Sequence, residues 1–440
     1  MNILMLGWEL PPHISGGLGV ACEGLLNSLA DTGEIDVTFF FPEFHGAKYE
    51  DTRLWRVVIP LSGSPRKSLR SAAVAVDGAL HQGRKERQIT DSGRLLDEIR
   101  RTPLSSKQLD TRAHDLANRI KSIKVGAYTL EIIHFVKHFT RKVRETIQSC
   151  AAFDIIHAHD WMTYEAAIHL KQLSGKKLIV HVHSLESDRV GLLEPRPEIA
   201  EIERRGLMTA DMIVAVSCYT KRCIIDTYHI DPERISVVHN GGTTAATALY
   251  RHSTPRLENL VTFVGRITEQ KGPEKFIAVA YNVWRRKNDI RFVMAGDGDL
   301  LLLMKSLVKS LGMTDVFSFP GFIDRDGVQE LLARSSVFVM PSTSEPFGIA
   351  ALEAIEASVP VIITIQSGVA EVVDNVIRVD PENIQLMTNE VLKIFQNPLR
   401  ARARARRARR EIDRITWLEA TSQLSSIYLR VYEAGSTTGQ

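Results

Sequence analysis

Short runs of apolar, mostly β-branched residues alternate with amphipathic segments along most of the chain. The runs are continuously apolar, which is typical of strands that are buried on both faces of a parallel sheet. Their alternation with helical segments predicts an α/β fold with a doubly wound parallel sheet. In the first half the predicted strands are Ile3–Leu6, Val37–Phe41, Asp154–Ala158, Leu178–Val182, Met212–Val216 and Ile235–Val238. The predicted helices are Gly17–Ala30, Thr163–Leu173 and Tyr219–Tyr228.

A second series of the same kind begins at Leu260 and predicts a second α/β unit. Its strands are Leu260–Val264, Phe292–Ala295, Val316–Phe319, Val337–Met340, Val359–Thr364 and Val376–Val379. A polar stretch from Asn240 to Glu258 separates the two series and is interpreted as a linker. We therefore predict domains at 1–242 and 259–411, followed by a helix and tail at 412–440. Two such domains that face each other leave a cleft in which ligands bind.

Two segments depart from this alternation. Residues 62–123 are polar and mixed in charge, with helical spacing only around Leu96–Ile99 and Ala113–Ile120. Insertions of that length are usually functional or mobile, and both readings stay open. The run Arg400–Arg410 predicts a helix with arginines on all sides, which is a solvated basic surface or a weak contact for anionic lipid. The final segment, Trp417–Tyr432, has apolar residues at helical spacing and should pack on another part of the chain.

Composition narrows the class of protein. A chain of 440 residues is too long for one ordinary core, and 44% hydrophobic and 24% charged residues are average for soluble proteins. The net charge of +3 gives no case for nucleic acid as the main partner. No metal-ligand spacing joins the four cysteines, and no apolar run is long enough to span a membrane. These features favour a cytoplasmic enzyme with reduced thiols.

The strongest chemical motif follows the predicted strand Val337–Met340. Glu345 lies in a short loop after the strand, and Glu353 lies in the second turn of the helix that starts near Gly348. The backbone N–H groups of Phe347, Gly348 and Ile349 would then be donors at a helix N-terminus, where they suit an oxygen-rich or anionic ligand. The alternative is a loop acid and a helix surface acid without a ligand.

A second motif carries two cations after the strand Leu260–Val264. Arg266 and Lys271 share one loop before a helix that opens near Pro273. A planar guanidinium and a compact ammonium suit a diphosphate, although either cation alone is more often a surface charge.

Glycine and histidine motifs follow the strands of the first domain. Gly16 and Gly17 lie after the first strand, where backbone N–H groups can bind phosphate, but the spacing fits neither a dinucleotide fingerprint nor a P-loop. His157 and His159 end one strand, and His181 and His183 end another. Such histidines can bind a sugar hydroxyl or a phosphate, or they can be structural. With no further ligand cluster in the sequence, no zinc site is predicted.

Taken together and in this order, the motifs resemble those of retaining glycosyltransferases of the GT-B fold, in family four and the bacterial glycogen and starch synthases. The resemblance covers nearly the whole chain. Its motifs are Gly16-Gly17-Leu18-Gly19, His159-Asp160-Trp161, Asn240-Gly241, Gly265-Arg266 with Lys271-Gly272, and Glu345-Pro-Phe-Gly with Glu353. The chain departs from the family pattern after Asn240, where a second glycine and threonines follow.

The resemblance implies a role for each matching residue. Glu353 is expected to bind the nucleotide ribose and Glu345 the donor hexose, with help from the amides of Phe347, Gly348 and Ile349. Arg266 and Lys271 would hold the diphosphate together with the amides of Gly16 and Gly17. His159 is expected beside the reacting face of the sugar, and Asn240 at the donor site near the hinge. Apolar and backbone groups around Ile323 would contact the base. The last helix would cross back onto the first domain.

These expectations define a reaction and leave its acceptor open. The donor would be ADP-glucose or UDP-glucose, and neither a metal nor another cofactor would be required, because the cations and amides stabilise the leaving diphosphate. An α-1,4-glucan is the first choice of acceptor, and exopolysaccharide, glycolipid or a small molecule is the second. A sugar-nucleotide epimerase and a non-catalytic scaffold are further alternatives. The oligomeric state is left undetermined.

Overall fold

The computed structural model describes residues 1–10, 16–43, 53–59, 73–75, 130–147, 152–190, 195–242 and 259–436. These residues form two sheets. The first has eight strands in the order β4-β3-β2-β1-β5-β6-β7-β8. Its strands are β1 (Asn2–Leu6), β2 (Asp36–Glu43), β3 (Arg53–Ile59), β4 (Ala73–Ala75), β5 (Ile155–His159), β6 (Lys177–Val182), β7 (Met212–Ala215) and β8 (Ile235–Val237).

Six of these strands are parallel, and β3 and β4 extend the sheet in antiparallel fashion at one edge. The predicted doubly wound parallel sheet is confirmed, and β3 and β4 are an antiparallel addition at its edge that the sequence did not predict. The reason is the length of the connection, since only residues 44–52 join β2 to β3 and a parallel crossover needs a dozen or more. Strand β4 falls inside the predicted polar insertion. The helical segments predicted around Leu96–Ile99 and Ala113–Ile120 lie outside the described residues.

Helices cover both faces of the first sheet. They are α1 (Gly17–Thr32), α2 (Leu130–Thr146), α3 (Trp161–Ser174), α4 (Glu186–Val190), α5 (Pro197–Thr209) and α6 (Cys218–Tyr228). Helices α1, α3 and α6 match the predicted ones within two or three residues. Of the cysteines, Cys22 of α1 is buried and Cys218 of α6 is exposed.

The second sheet has six parallel strands in the order β11-β10-β9-β12-β13-β14. They are β9 (Leu260–Val264), β10 (Arg291–Ala295), β11 (Phe317–Gly321), β12 (Val337–Met340), β13 (Val361–Thr364) and β14 (Ile377–Val379). The helices are α7 (Pro273–Trp284), α8 (Leu301–Ser310), α9 (Arg325–Arg334), α10 (Ile349–Glu356), α11 (Ile384–Gln396) and α12 (Pro398–Glu411). The predicted GT-B architecture of two facing α/β units is confirmed.

The last helix, α13 (Trp417–Ser436), returns to the first unit, as predicted. Its buried apolar residues, among them Leu424 and Tyr428, belong to the core of the first sheet. Trp417 packs so closely on α1 that a Cβ at Gly24 would lie 2.2 Å from its ring. Ser28 and Thr421 hydroxyls share a buried 2.8 Å hydrogen bond. Helix α13 therefore completes the first core.

Helix α12 has one packed face, so its arginines do not surround it as the sequence predicted. Ala401, Ala405 and Ala408 are buried because their small side chains permit a close approach to the second unit. The arginines exposed on the remaining faces are Arg400, Arg402, Arg404, Arg406, Arg407 and Arg410. Among the described residues, no helix is long and apolar enough to cross a bilayer.

Candidate active site

Each sheet has a switch point, where successive connections leave to opposite sides. In the first sheet β1 lies between β2 and β5, and in the second β9 lies between β10 and β12. Ligands of open α/β sheets bind at the carboxyl ends of such strands. The glycines follow β1, His159 ends β5, Arg266 follows β9 and Glu345 follows β12. The four predicted motifs thus lie at the two switch points.

The cation loop after β9 is held against the loop after β12 by a close backbone approach. Gly272 has a φ of +61°, and a Cβ at this position would lie 2.4 Å from the Pro341 carbonyl oxygen. Only glycine satisfies both demands. The backbone N–H of Thr343 donates to Gln270 O at 2.9 Å, which ties the same two loops together. This packing places Lys271 beside Glu345.

Lys271 and Glu345 form an ion pair, with 2.6 Å between Nζ and Oε2. The side chains are 18% and 6% exposed, so the pair is largely shielded from water. Ser342 Oγ donates to the same carboxylate oxygen at 3.0 Å. The Glu345 backbone is also fixed, because its N–H donates to Gln366 O and its carbonyl accepts from Gly368 N, both at 2.9 Å. The carboxylate of Glu345 is therefore held in a fixed position next to the Lys271 ammonium.

Two helix N-termini approach each other across the cleft. Gly348, with a φ of +106°, turns the chain into α10, and Ile349 is the first residue of that helix. A Cβ at Gly17, the first residue of α1, would lie 4.0 Å from Ile349 Cδ1. The positive ends of two helix dipoles thus meet at one point, and anions are stabilised there. Phe347 is buried beneath this junction.

Glu353 lies on α10 near a second acid. Burial and, to a smaller extent, the Glu356 carboxylate raise the pKa of Glu353 to about 7, and the charge of Arg325 partly opposes them. Arg325 begins α9 just after Ile323, which packs against the core on the same side. The structure therefore brings Ile323, Arg325 and Glu353 to one end of the cleft.

Two acids of the first unit face Arg266. Burial raises the pKa of Glu9, and the charges of Arg266 and Arg189 partly counter this effect. Glu9 accepts a 3.1 Å hydrogen bond from the Gly16 N–H. Asp160 is likewise buried with a raised pKa, and Arg189 is its nearest cation at 3.3 Å. Arg266 itself is exposed to the cleft, where it can reach an anionic ligand.

His159 belongs to a stack of four buried histidines. His159 Nδ1 lies 2.9 Å from His183 Nε2, and His157 Nδ1 lies 2.7 Å from the Tyr428 hydroxyl. The sequence analysis predicted no zinc site at these histidines, yet within the described part of the chain His157, His159 and His181 place ligand nitrogens within 4.8 Å of one another. These nitrogens converge because the register of β5 and β6 pairs His159 with His181.

Asn240 lies at the hinge and is buried. Its neighbours Gly241 and Gly242 touch the start of α13, since Gly242 N donates to Ile415 O at 2.9 Å and a Cβ at Gly241 would overlap Trp417. The adjacent His239 ring lies 5.9 Å from that of Phe347. The predicted linker residues 243–258 lie outside the described residues.

A set of contacts that the sequence analysis did not predict joins the two units. We call this set of contacts the clasp. Ser344 Oγ donates to Asp188 Oδ1 at 2.5 Å and lies 2.9 Å from the Tyr219 hydroxyl. Ser217 Oγ donates to Pro346 O at 2.6 Å. Glu371 accepts from the backbone N–H groups of Cys218 and Tyr219. The clasp holds the loop that carries Glu345.

Glu9 could have been found from the sequence, because it follows β1 in the same loop as the glycines. Asp188 offered no comparable signal. Its partner Ser344 is 156 positions away in the chain, and the contact exists only because the two units are docked.

Two family models match consecutive parts of the chain. A model described as Glycosyltransferase Family 4 matches residues 106–245, and one described as Glycosyl transferases group 1 matches residues 251–411. Together they cover more than half of the chain.

Whole-length relatives agree with these models. An uncharacterized glycosyltransferase of Methanocaldococcus jannaschii is 26% identical over 87% of this chain and 86% of its own. The glycogen synthase of Mycobacterium tuberculosis is 24% identical over 98% of this chain and 94% of its own.

Solved structures show the same fold. Sucrose-phosphate synthase from Thermosynechococcus elongatus has a TM-score of 0.67 at 16% identity, covering 98% of this chain and 99% of its own. The catalytic domain of starch synthase IV from Arabidopsis thaliana, bound to ADP and acarbose, has a TM-score of 0.66 at 15% identity with the same coverage. With the two switch points and the crossing helix, these likenesses identify the chain as a GT-B glycosyltransferase of family four.

Proposed function

We propose that this glycosyltransferase moves a hexose, with glucose as first choice, from a nucleoside diphosphate sugar to a glycan with retention of configuration. The observation that supports this most directly is the convergence of groups at the cleft. Two helix N-termini meet there beside the ion pair of Lys271 with Glu345. The charge of Arg266 acts on Glu9, which accepts from the Gly16 N–H at the start of the first of these helices. Such an arrangement suits a diphosphate that is joined to a hydroxylated ring.

The chemistry follows from the charge that develops during transfer. The bond from the hexose C1 to the diphosphate oxygen breaks, while negative charge grows on the diphosphate and the sugar becomes oxocarbenium-like. Arg266, Lys271 and the amides of Gly16 and Gly17 stabilise the leaving group. Because two cations and two backbone N–H donors are available to the leaving group, the proposal invokes no metal or other cofactor for this step. The acceptor oxygen bonds to C1 on the same face, and its proton passes to the departing phosphate.

Binding of the donor would exchange the partners of the ion pair. A phosphate oxygen draws Lys271 Nζ towards itself, and Glu345 Oε2 becomes free to accept hydrogen bonds from hexose hydroxyls. Ser342 keeps the carboxylate in place during this exchange, because it donates to the same oxygen. Glu353 accepts from the ribose, Ile323 contacts the base, and His159 and Asn240 lie towards the sugar.

An α-1,4-glucan is the acceptor we favour. The support is the whole-length likeness to a glycogen synthase and the likeness in fold to a starch synthase domain that binds ADP and acarbose. A lipid-linked or exopolysaccharide acceptor is the second candidate. It is favoured by the exposed arginines of α12 and by Leu399 beside them, which is 79% exposed, since such a face suits an anionic membrane surface.

The deciding experiment incubates the purified chain with ADP-glucose or UDP-glucose and either glycogen, maltooligosaccharide or a lipid-linked sugar. We expect release of nucleoside diphosphate only with an acceptor, and an α-linked product by NMR. A β-linked product contradicts retention. Release of a rearranged sugar without any acceptor indicates an epimerase instead. No turnover with any donor, despite binding, points to a scaffold.

A thermal-shift screen with ADP-glucose, UDP-glucose and GDP-mannose identifies the donor base. A ligand at a hundredfold excess over its Kd stabilises the folded state by about 2.7 kcal/mol. The donor that raises the melting temperature most is carried into the assays above.

A further inference from the structure

The histidine stack beneath the cleft contains nitrogen atoms that lack partners. His157, His159 and His181 are at most 1% exposed. Among the described residues, His157 Nε2, His159 Nε2 and both nitrogens of His181 are buried without a hydrogen-bond partner. A buried polar atom without a partner destabilises the folded state, so three such side chains in one place require an explanation.

The geometry of the stack follows from the sheet. Residues two apart on a strand share a face, so the side chains of His157 and His159 point the same way. The parallel register of β5 and β6 sets His181 directly beside His159. As a result, one ligand nitrogen from each of His157, His159 and His181 lies within 4.8 Å of the others. The ring planes meet at 41° for His157 with His159 and at 28° for His159 with His181, so binding of a shared ion requires the rings to tilt until their lone pairs converge.

The outer nitrogens of two of these rings are already oriented. His157 Nδ1 faces the Tyr428 hydroxyl at 2.7 Å, and His159 Nδ1 faces His183 Nε2 at 2.9 Å. When each Nδ1–H donates to its partner, the Nε2 lone pair is free to bind an ion. Histidine ligands of metals almost always donate their other ring N–H to a neighbouring acceptor in this way.

We propose that His157, His159 and His181 form a binding site for a divalent transition metal, with Zn²⁺ as the best match. Three imidazoles with a fourth position open to water or substrate are a known zinc arrangement, and imidazole also suits Cu²⁺ and Ni²⁺. The site does not rest on the proposed transfer reaction, because its evidence lies in the stack alone. It shares His159 with that reaction, so an occupied site would hold the ring away from the sugar.

The test measures metal retention by the full chain. Protein dialysed against a chelator is incubated overnight with excess Zn²⁺, because entry to a buried site needs local opening, and is then desalted and analysed for zinc. We expect one ion per chain. His181→Gln and His157→Asn should lose it, whereas His229→Asn, an exposed helix-end histidine, should retain it. Zinc in wild-type protein at background level, or equal retention by His181→Gln, overturns the proposal.

A second measurement needs no variant and is independent of transferase activity. Co²⁺ replaces Zn²⁺ and shows intense visible ligand-field bands when it is four-coordinate. We expect these bands on titration of the wild-type chain, and their loss on addition of Zn²⁺. A spectrum that matches aqueous Co²⁺ overturns the site even if a variant fails to fold. Bound zinc should also inhibit transferase activity, because it would hold the His159 ring away from the sugar. Full transferase activity of the zinc-loaded chain would contradict the role proposed for His159 in transfer.

Discussion

In the proposed function, Lys271 and Glu345 bind different parts of the donor. Lys271 binds the diphosphate, and Glu345 binds the hexose. Under this proposal, their 2.6 Å contact places the two side chains on either side of the bond that breaks. A buried ion pair of this kind is weak evidence for stability, because desolvation offsets much of the attraction. In the proposed function, the pair instead keeps the ammonium and the carboxylate in defined positions until the donor binds and separates them.

Replacement Lys271→Ala should lower kcat by about 10²–10³ and weaken nucleoside diphosphate binding far less. The reason is that the ammonium group interacts most strongly with charge that appears only in the transition state. Steady-state kinetics and calorimetric titration separate the two effects. Lys305→Ala, on the exposed face of α8, is the matched control and should leave both unchanged. Near-normal turnover of Lys271→Ala would contradict the assignment.

Glu353 should make nucleotide binding depend on pH near neutrality. Its pKa is raised to about 7 by burial and by Glu356, so the protonated form dominates below that pH and accepts ribose hydrogen bonds poorly. Affinity for a nucleoside diphosphate is expected to rise between pH 6 and 8, and titration at several pH values measures it.

In Glu353→Gln the rise with pH should disappear, because glutamine does not titrate. Glu330→Gln on the exposed face of α9 serves as the control and should keep the wild-type profile. A variant Glu353→Gln with an unchanged pH profile would show that another group titrates.

At the level of elements, burial on both faces decided which strands could be predicted. The bounds of β9 and β12 match the prediction at both ends, because β12 is apolar throughout and a single threonine, Thr262, is the one polar residue of β9. Strand β3 escaped prediction, since Arg53 and Arg56 interrupt its apolar run. The short helix α4 was missed for a similar reason, as its sequence Glu-Ser-Asp-Arg-Val is polar. The motifs after β9 and β12 could be located from the sequence, whereas the clasp depends on docking of the two units.

Helix α13 should be required for the stability of the first unit. Leu424 is fully buried in its core, and Leu424→Ala is expected to lower the free energy of unfolding by about 3–5 kcal/mol through lost transfer energy and a cavity. Urea denaturation followed by fluorescence measures the loss. Leu429→Ala on the same helix, where Leu429 is 52% exposed, should cost little. Equal effects of the two substitutions would mean that α13 does not complete the core.

On the scale of the whole molecule, the clasp connects domain closure to the donor site. Ser344 reaches across the cleft to the buried Asp188, and its neighbour in the chain is Glu345. Closure of two domains over a bound substrate excludes water from the reaction. The clasp therefore positions the loop that carries Glu345 only while the two units are together.

Ser344→Ala should favour the open form, because Asp188 Oδ1 loses the hydrogen bond from Ser344 and is better hydrated when the units separate. We expect a higher KM for the donor with a smaller change in kcat, and a larger radius of gyration in X-ray scattering. Ser310→Ala, at the exposed end of α8, is the control. Unchanged KM and scattering would exclude the clasp as a determinant of closure.

The return of α13 to the first unit has a consequence for engineering this enzyme. The backbone passes between the units twice, at Gly241–Gly242 and again at Ile415–Trp417, and the two passages touch each other. A chimaera that exchanges donor specificity with a relative must therefore be cut at both passages. A single cut at the first passage would give the recipient a foreign α13 against its own α1, with Trp417 and Gly24 no longer matched.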